Sequence, residues 1–312
     1  MSPARALACP ASLKGVLAAP AAAAALADGL RAWADVDCLP VADGGEGTLQ
    51  ALHAALGGEW RDVAVHDAFG RPRTARWLEL PDGTAAVEAA EAIPLDPSRL
   101  DPFAASSRGL GEVIAAVGAA RALLVCLGGT ANVDGGAGLL EVIDVLPAPT
   151  RVACDVDVPL VDAARVFAAQ KGAAPDDVRD LEARLLTNEA LRAVAGLPGA
   201  GAAGGLGAAL AALGAELVPG AALVLDEIDF DVAGYDLVVT GEGTVDATTF
   251  RGKAPGEVVR RCADAGVRCV LFGGRIVDAP AAIETIALSG DRDRARDDLV
   301  ALGERLGRGA CT

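Results

Sequence analysis

The sequence predicts an α/β protein of two domains, and three observations support this prediction. In the first 60 residues, apolar runs alternate with helical patterns in the order β-α-β-α, which is typical of a parallel sheet. From Asp62 the apolar residues recur with a period of two, as in an antiparallel meander. At 312 residues the chain is also longer than most single domains.

The elements of the first part follow from apolar runs and their boundaries. We expect a strand at residues 6–9, a helix at 20–33 with Pro20 in its first turn, and a strand at 36–41. A helix then ends at Leu56, because two glycines follow it.

The later elements indicate that the chain leaves this first unit and returns to it. After the meander, the expected helices cover residues 109–117, 163–169, 176–186, 208–213, 256–265 and 293–306. The expected strands cover residues 122–127, 152–157, 235–240 and 267–272. We therefore predict one domain from residues 1–60 with 234–312, and an inserted domain from residues 61–233.

The net charge of the chain limits the kinds of molecule that it can bind. The net charge of −16 makes nucleic acid a poor partner, and an anionic substrate would need a local positive pocket. Of 27 basic residues only Lys14, Lys171 and Lys253 are lysine, and each is next to a glycine. This placement is typical of phosphate sites, although codon bias explains it equally well on composition alone.

The cysteines and apolar runs indicate a cytoplasmic protein. None of the seven cysteines forms a C-x-x-C pair, so we expect them to be reduced. With two histidines in unrelated settings, the sequence does not favour a zinc site. The apolar run before Cys9 is too short for a signal sequence, and no run has the ~18–20 residues that span a bilayer.

A glycine-rich acidic motif, A-D-G-G-E-G-T at residues 42–48, is the first candidate for function. Its last four letters return as Gly241-Glu242-Gly243-Thr244, and we expect each copy to lie where a strand gives way to a helix. Glycine permits the tight turn there, and amides at a helix start favour phosphate. The carboxylates suit Mg²⁺ or a hydroxyl proton, whereas an ordinary turn would not need Asp, Glu and Thr together.

Other nucleotide-binding motifs are absent or weak. No G-x-x-x-x-G-K-[ST] sequence occurs, which argues against a P-loop enzyme. A G-x-G-x-x-G match at residues 199–204 follows no buried strand, so helix packing explains it better. Asp155 and Asp157 point to opposite faces of a strand and cannot chelate together unless the strand has ended; helix capping is the alternative.

Taken in order, the motifs resemble those of the class I glycerate kinase family over nearly the whole chain. The segment C-P-A-S-L-K-G at residues 9–15 is similar to the family's A-P-D-S-F-K-G, and residues 42–48 match its A-D-G-G-E-G-T. Residues 128–138 resemble G-G-S-A-T-N-D-G-G-A-G, and 153–160 resemble A-C-D-V-D-N-P-L. Further matches lie at residues 170–173, 198–206 and 240–255, so that all three lysines fall on motif positions.

The resemblance implies a flavodoxin-like parallel-sheet domain built from both chain ends and an inserted mixed α/β domain. It also implies a kinase that phosphorylates glycerate with ATP and Mg²⁺, acting as a monomer or homodimer. Asp43, Glu46, Glu242 and Asp246 would hold Mg²⁺ or accept the hydroxyl proton, with Asp43, Glu46 and Glu242 as the metal ligands. Lys14 and Lys253 would neutralise phosphate or carboxylate charge. Neutral contacts to substrate or phosphate would come from Ser12, Gly44, Gly45, Thr130 and Gly135, and Asp134 would lie with them.

The chain departs from the family pattern at several of these loops. Ala11 stands where the family has Asp, Val133 where it has Asn, and Thr244 where it has Arg. The segments after Val145 and after Ile286 are shorter than in relatives. The alternative is therefore a nucleotide- or carboxylate-binding paralogue with an altered hydroxy acid substrate or without activity.

Overall fold

The computed structural model describes residues 4–309 and shows a mixed α/β protein with two sheets. Cys311 lies outside the described residues. The strands are β1 (Ala4–Ala8), β2 (Ala34–Cys38), β3 (Glu59–His66), β4 (Pro72–Glu79), β5 (Thr84–Glu88), β6 (Ala122–Cys126), β7 (Thr150–Cys154), β8 (Glu216–Pro219), β9 (Leu237–Val245), β10 (Cys269–Ile276) and β11 (Glu284–Ala287). The helices are α1 (Ala19–Leu30), α2 (Thr48–Leu56), α3 (Ala89–Ala92), α4 (Arg108–Val117), α5 (Ala137–Leu140), α6 (Ala163–Phe167), α7 (Val178–Leu185), α8 (Glu189–Val194), α9 (Ala202–Ala212), α10 (Gly220–Glu227), α11 (Ala254–Ala265) and α12 (Ala295–Gly309).

The described residues divide into two compact units. The first unit lies within Met1–Ala42, Gln50–Ala55 and Val224–Thr312, and the second within Asp43–Leu49 and Leu56–Leu223. The acidic motif at residues 43–48 thus groups with the second unit. The domain limits of 1–60 with 234–312 and 61–233 stay predictions.

The first unit is a parallel five-stranded sheet in the order β11-β10-β9-β1-β2. Counted within this unit, the strand order is 2-1-3-4-5, which is the flavodoxin-like order, so this prediction is confirmed. Small residues of β1, such as Ala6 and Ala8, let α1 and α12 pack closely, and Leu26 and Leu299 fill the core between the layers. The order reverses between β1 and β9, which is where ligands bind in open parallel sheets.

The second unit is a mixed six-stranded sheet in the order β3-β4-β5-β6-β7-β8. Strands β3, β4 and β5 form the predicted antiparallel meander, while β5 to β8 run parallel. Leu110 of α4 and Leu206 of α9 belong to the core cluster that includes Leu123 and Val125 of β6. The four parallel strands therefore end at one edge of this sheet.

One prediction about the second copy of the motif is wrong. Strand β9 continues to Val245, so Gly241-Glu242-Gly243-Thr244 lies inside a strand and not at a strand-to-helix turn. The reason is pairing with β10, which extends to Ile276 and aligns with β9 as far as Val245. A Cβ at Gly241 would lie 2.3 Å from the carbonyl oxygen of Phe272, so glycine serves close packing there.

Other boundaries also differ from the sequence prediction. Strand β7 ends at Cys154, so Asp155 and Asp157 follow the strand instead of alternating along it. The elements β8, α8, α10 and β11 are short and carried no clear periodic signal. Between residues 4 and 309, the helices lack the length and apolar character that crossing a membrane requires.

Candidate active site

A cavity of about 700 Å³ opens in the first unit at the carboxyl ends of its strands. This volume falls within the range of ~300–1,000 Å³ that is usual for small-molecule sites. The lining comes from the loop after β1, the end of β9 and the loop after it, the end of β10, the segment after β11 and the start of α12: Ser12, Leu13, Lys14, Val16, Glu242, Gly243, Thr244, Lys253, Gly274, Arg275, Leu288, Ser289, Gly290, Asp291, Arg292, Ala295 and Asp298. Four predicted site residues, Ser12, Lys14, Glu242 and Lys253, are thus brought together.

Glu242 and Lys253 form an ion pair beside the cavity. Glu242 is only 9% exposed, and its carboxylate accepts hydrogen bonds from Thr249 Oγ1 at 2.7 Å and Lys253 Nζ at 3.1 Å. Lys253 caps the start of α11, where Pro255 stands in the first turn. A carboxylate with two such donors holds its lysine in place, so Lys253 faces the cavity from a fixed position.

Asp246 lies in the same loop but outside the lining of the cavity. Its Oδ1 accepts hydrogen bonds from the hydroxyl and the backbone amide of Thr248. These two bonds lower the pKa of the Asp246 carboxyl below its ordinary value. Asp246 is therefore ionised near neutral pH and closes its own turn; its predicted catalytic role stays a prediction.

The cavity has a wall that sequence reasoning missed. The segment from Ser289 to Arg292 connects β11 to α12, and neither its conformation nor β11 was predicted. The Ser289 amide donates to Asp298 of α12 at 3.0 Å, and Arg292 donates to the Gly15 carbonyl at 2.6 Å. Arg275 also lines the cavity and was not predicted. The sequence signal for Arg275 was its position directly after the glycine pair that ends the apolar run of β10.

In the second unit, residues 43–49 lie against the carboxyl ends of β6, β7 and β8. The Gly128 amide donates to the Gly44 carbonyl at 3.2 Å, and a Cβ at Gly128 would lie 2.4 Å from the Gly45 Cα. A Cβ at Gly220 would lie 2.0 Å from the Asp43 carbonyl oxygen. Glycine is required at these contacts because two backbones meet without room for a side chain.

The polar groups of this loop have distinct environments. Asp43 is half-buried, and its Oδ1 accepts a hydrogen bond from the Gly45 amide at 3.3 Å. Thr48 is fully buried and donates to the Gly45 carbonyl at 2.7 Å. The Glu46 side chain is exposed, with its stem near Gly129. Two predicted catalytic acids, Asp43 and Glu46, thus come from one ordered turn.

A buried acid, Glu88, bonds to this same turn and was not predicted. Its side chain is 2% exposed and accepts hydrogen bonds from the backbone amides of Gly47 at 3.0 Å and Leu49 at 3.2 Å. Burial raises the pKa of Glu88 to about 7, and the two amides oppose this rise. The sequence signal was an acid at the end of a buried apolar strand.

The loop at residues 128–138 is held from within by Asp134. This carboxylate, 5% exposed, accepts hydrogen bonds from the Ser107 amide and hydroxyl, the Asn132 side chain, and the amides of Gly136 and Gly138. Five donors occupy its two oxygens, so the geometry gives Asp134 a loop-holding function. Its predicted contact with substrate or phosphate stays a prediction.

Lys171 supports the first half of that loop. Its side chain is 3% exposed, and Nζ donates to the Asn132 carbonyl at 2.7 Å and to Thr130 Oγ1 at 3.4 Å. Burial lowers the pKa of Lys171 to about 8, although the charges of Asp155 and Asp134 oppose the change. Gly135, another predicted site residue, has a φ of 64° and donates to the Gly204 carbonyl at 3.0 Å.

The described part of the chain does not gather three or more His, Cys, Asp or Glu side chains in a metal-binding arrangement. Of the predicted ligands, Asp43 and Glu46 belong to the second unit, whereas Glu242 belongs to the first.

Comparisons with known proteins agree on one family. The family model described as the glycerate kinase family matches residues 6–147 and 146–290. The chain is 36% identical to the glycerate kinase of Bacillus subtilis (strain 168), over 86% of this chain and 84% of that protein. It is also 36% identical to the glycerate 2-kinase of Escherichia coli (strain K12), over 79% and 78%. A crystal structure from Salmonella typhimurium LT2, of a protein assigned as glycerate kinase 2, superposes with a TM-score of 0.82 at 28% identity, covering 99% of this chain and 98% of that one.

Proposed function

Because the chain belongs to the glycerate kinase family and is a kinase-type transferase, we propose that it transfers the γ-phosphoryl group of ATP to a hydroxyl of glycerate, giving 2- or 3-phosphoglycerate. The observation that carries this proposal is the cavity at the strand-order reversal of the first unit. In open parallel sheets, ligands bind outside the carboxyl ends of the strands at such a reversal.

The lining of the cavity suits the phosphates of a nucleotide. The chain carries a net charge of −16, so an anionic ligand needs local cations. Lys14 and Arg275 have exposed side chains in the cavity, and Lys253 is fixed by Glu242. We assign these three cations to charge neutralisation on ATP or on the glycerate carboxylate, and Ser12 to a neutral hydrogen bond.

The acids of residues 43–48 suit Mg²⁺. This ion binds proteins through one or two carboxylates and fills its other positions with water or phosphate oxygens. Asp43 and Glu46 offer two carboxylates on one turn, so they fit the ion without a third protein ligand. When bound, Mg²⁺ would neutralise charge on the transferring phosphoryl group. We assign Glu242, predicted as a third ligand, to holding Lys253.

The remaining chemistry is positioning and proton transfer. A phosphoryl transfer requires little covalent help from the protein, and catalysis depends on placing groups and neutralising charge. In the proposal Asp43 accepts the proton of the attacking hydroxyl or shares the ion with Glu46. The backbone of Gly44, Gly45 and Gly128 keeps this turn in place by close contact.

The proposal is tested by turnover of D-glycerate with Mg-ATP in a coupled assay. Asp43→Ala and Lys14→Ala should each lower kcat/KM on the order of 100-fold or more, because one removes a base or metal ligand and the other a phosphate-neutralising charge. The matched controls are Asp180→Ala and Arg179→Ala, which remove exposed charges on α7. Near-normal rates for folded Asp43→Ala and Lys14→Ala would refute these roles.

A second candidate is a nucleotide- or carboxylate-binding paralogue that lacks glycerate turnover. It is motivated by Thr244, which lines the cavity where the family pattern has Arg, and by Val133, which is fully buried where the pattern has Asn. Calorimetry showing ATP binding, with no turnover of any acid in a hydroxy acid screen, would favour it.

We also propose that the protein works in the cytoplasm. The structure describes six cysteines, and all of them are free thiols, as is usual in reducing compartments. Whether the active form is a monomer or a homodimer stays a prediction, which sedimentation equilibrium would decide.

A further inference from the structure

The last residue of β5 is a carboxylate in an unusual place. Glu88 is 2% exposed, follows the fully buried Val87, and precedes the buried Ala89. Burying a carboxylate costs several kcal/mol unless hydrogen bonds replace water. An apolar side chain would fit this position at lower cost, so the contacts of Glu88 indicate why an acid stands there.

Those contacts go to the backbone of residues 47–49. One carboxylate oxygen accepts from the Gly47 amide at 3.0 Å and the other from the Leu49 amide at 3.2 Å. The two amides flank Thr48, the first residue of α2, which is bonded in turn to the Gly45 carbonyl. Gly47 has a φ of 93°, a left-handed backbone conformation that favours glycine.

A single carboxylate therefore fixes the end of the turn that carries Asp43 and Glu46. The opposite side of the turn is set by glycine contacts, with Gly128 bonded to the Gly44 carbonyl. Between these two attachments, the directions of the Asp43 and Glu46 side chains depend on the backbone at residues 44–47. A substitution of Glu88 would remove the hydrogen bonds to the Gly47 and Leu49 amides and keep the contact between Gly128 and Gly44.

We propose that Glu88 is a positioning residue for phosphoryl transfer, which holds the amides of Gly47 and Leu49 so that Asp43 and Glu46 keep their reactive directions. This role rests on the proposed function. In this role Glu88 acts through the backbone amides that it holds. A displacement of about 1 Å in a catalytic group lowers a rate on the order of 100-fold, so the effect should be on kcat.

The test uses Glu88→Gln, which keeps the side-chain shape but replaces one acceptor oxygen with an amide donor. We expect kcat for glycerate to fall on the order of 100-fold. KM for ATP should stay within about threefold, since the cavity lining does not include Glu88. Amide hydrogen exchange at residues 47–49 should accelerate about tenfold, as one hydrogen bond is lost.

The matched control is Glu91→Gln, three residues further along on α3. The Glu91 carboxylate pairs with Arg76 at 3.1 Å and not with residues 47–49. Its kcat and its exchange at residues 47–49 should stay within about twofold of wild type. Glu88→Asp retains both acceptor oxygens and should recover part of the lost kcat, which a loss of folding alone would not explain.

The possible outcomes test three statements separately: the hydrogen bonds of Glu88 to residues 47–49, its positioning role, and the proposed phosphorylation of glycerate. Unchanged exchange at residues 47–49 in Glu88→Gln would overturn the contact. Faster exchange with kcat within twofold of wild type would overturn the positioning role. A folded wild-type chain that does not phosphorylate glycerate would overturn the proposed function and this role with it, while the exchange result would still decide the contact.

Discussion

The same four letters, G-E-G-T, form a turn at residues 45–48 and part of a strand at residues 241–244. In the turn, Gly47 takes a φ of 93° and Thr48 begins a helix. In the strand, each of the four residues lies in β9, and Gly241, Glu242 and Thr244 have partners on β10. The difference comes from the hydrogen-bond partners of each copy. Residues 241–244 pair with the parallel strand β10, whereas the amides of Gly47 and Leu49 donate to the Glu88 carboxylate.

The two glutamates differ accordingly. Glu46 is exposed, whereas Glu242 is 9% exposed and bonded to Thr249 and Lys253. An exposed acid next to half-buried Asp43 is available to an ion or a substrate. A buried acid with two donors is a structural partner for its lysine. Identical sequence therefore does not carry identical function, because surrounding contacts decide which group remains available.

The largest expected difference separates these two acids. Glu46→Gln should lower kcat on the order of 1,000-fold without a change in the free energy of unfolding, since an exposed acid contributes to chemistry and not to packing. Glu242→Gln should lower the free energy of unfolding by about 2 kcal/mol, because Lys253 loses its charged partner in a partly buried pair. Steady-state kinetics and urea unfolding of both variants measure this, and equal responses in the two assays would remove the distinction.

The second prediction extends the comparison to the lysines. Lys253 is paired with an acid, whereas Lys171 is buried against a carbonyl and a hydroxyl, and its pKa falls from 10.5 to about 8. Between these values the unfolded chain binds more protons than the folded chain, so the free energy of unfolding should rise with pH, by up to about 3 kcal/mol. Below this window both states are protonated and the penalty is constant.

The measurement is urea unfolding of wild type and Lys171→Met from pH 7 to pH 10.5, where only wild type should gain this increment. The difference between the two proteins removes the contributions of other titrating groups. If the free energies of unfolding of the two proteins change in parallel with pH over the whole range, burial does not lower the pKa of Lys171.

The smallest expected effect concerns the second glycine of each copy. Gly47→Ala places a side chain at a φ of 93° and should cost roughly 1–2 kcal/mol of stability. Gly243→Ala should change stability by less than about 0.5 kcal/mol, because the nearest atom, the Lys14 nitrogen, lies 3.6 Å from the added Cβ. Thermal unfolding of both variants measures the difference, and a similar cost at the two positions would contradict the assigned conformations.

The fold class could be predicted from the sequence because most of the strands and helices keep the apolar periodicity that is typical of their type. The meander and the turn at residues 43–48 follow local patterns that the tertiary structure does not override, whereas the flavodoxin-like order was expected from the family resemblance. The prediction for the second copy, residues 241–244, was wrong because this segment pairs with β10, a strand that is distant in sequence. Local pattern cannot reveal such a partner.

The candidate site shows the same division. Lys14, Asp43 and Lys253 could be selected from lysine placement and motif chemistry. Glu88 and the segment from Ser289 to Arg292 could not, since their importance lies in contacts made by the backbone of distant residues. A buried acid at a strand end is the only local trace that Glu88 leaves.

The most direct test of glycerate phosphorylation by this protein is ³¹P NMR of the wild-type chain with Mg-ATP and D-glycerate. We expect ADP and one phosphoglycerate resonance to appear together, with a chemical shift that identifies the 2- or 3-phosphate. Binding of ATP without any phosphoglycerate, at protein concentrations at which the chain is folded, would contradict it.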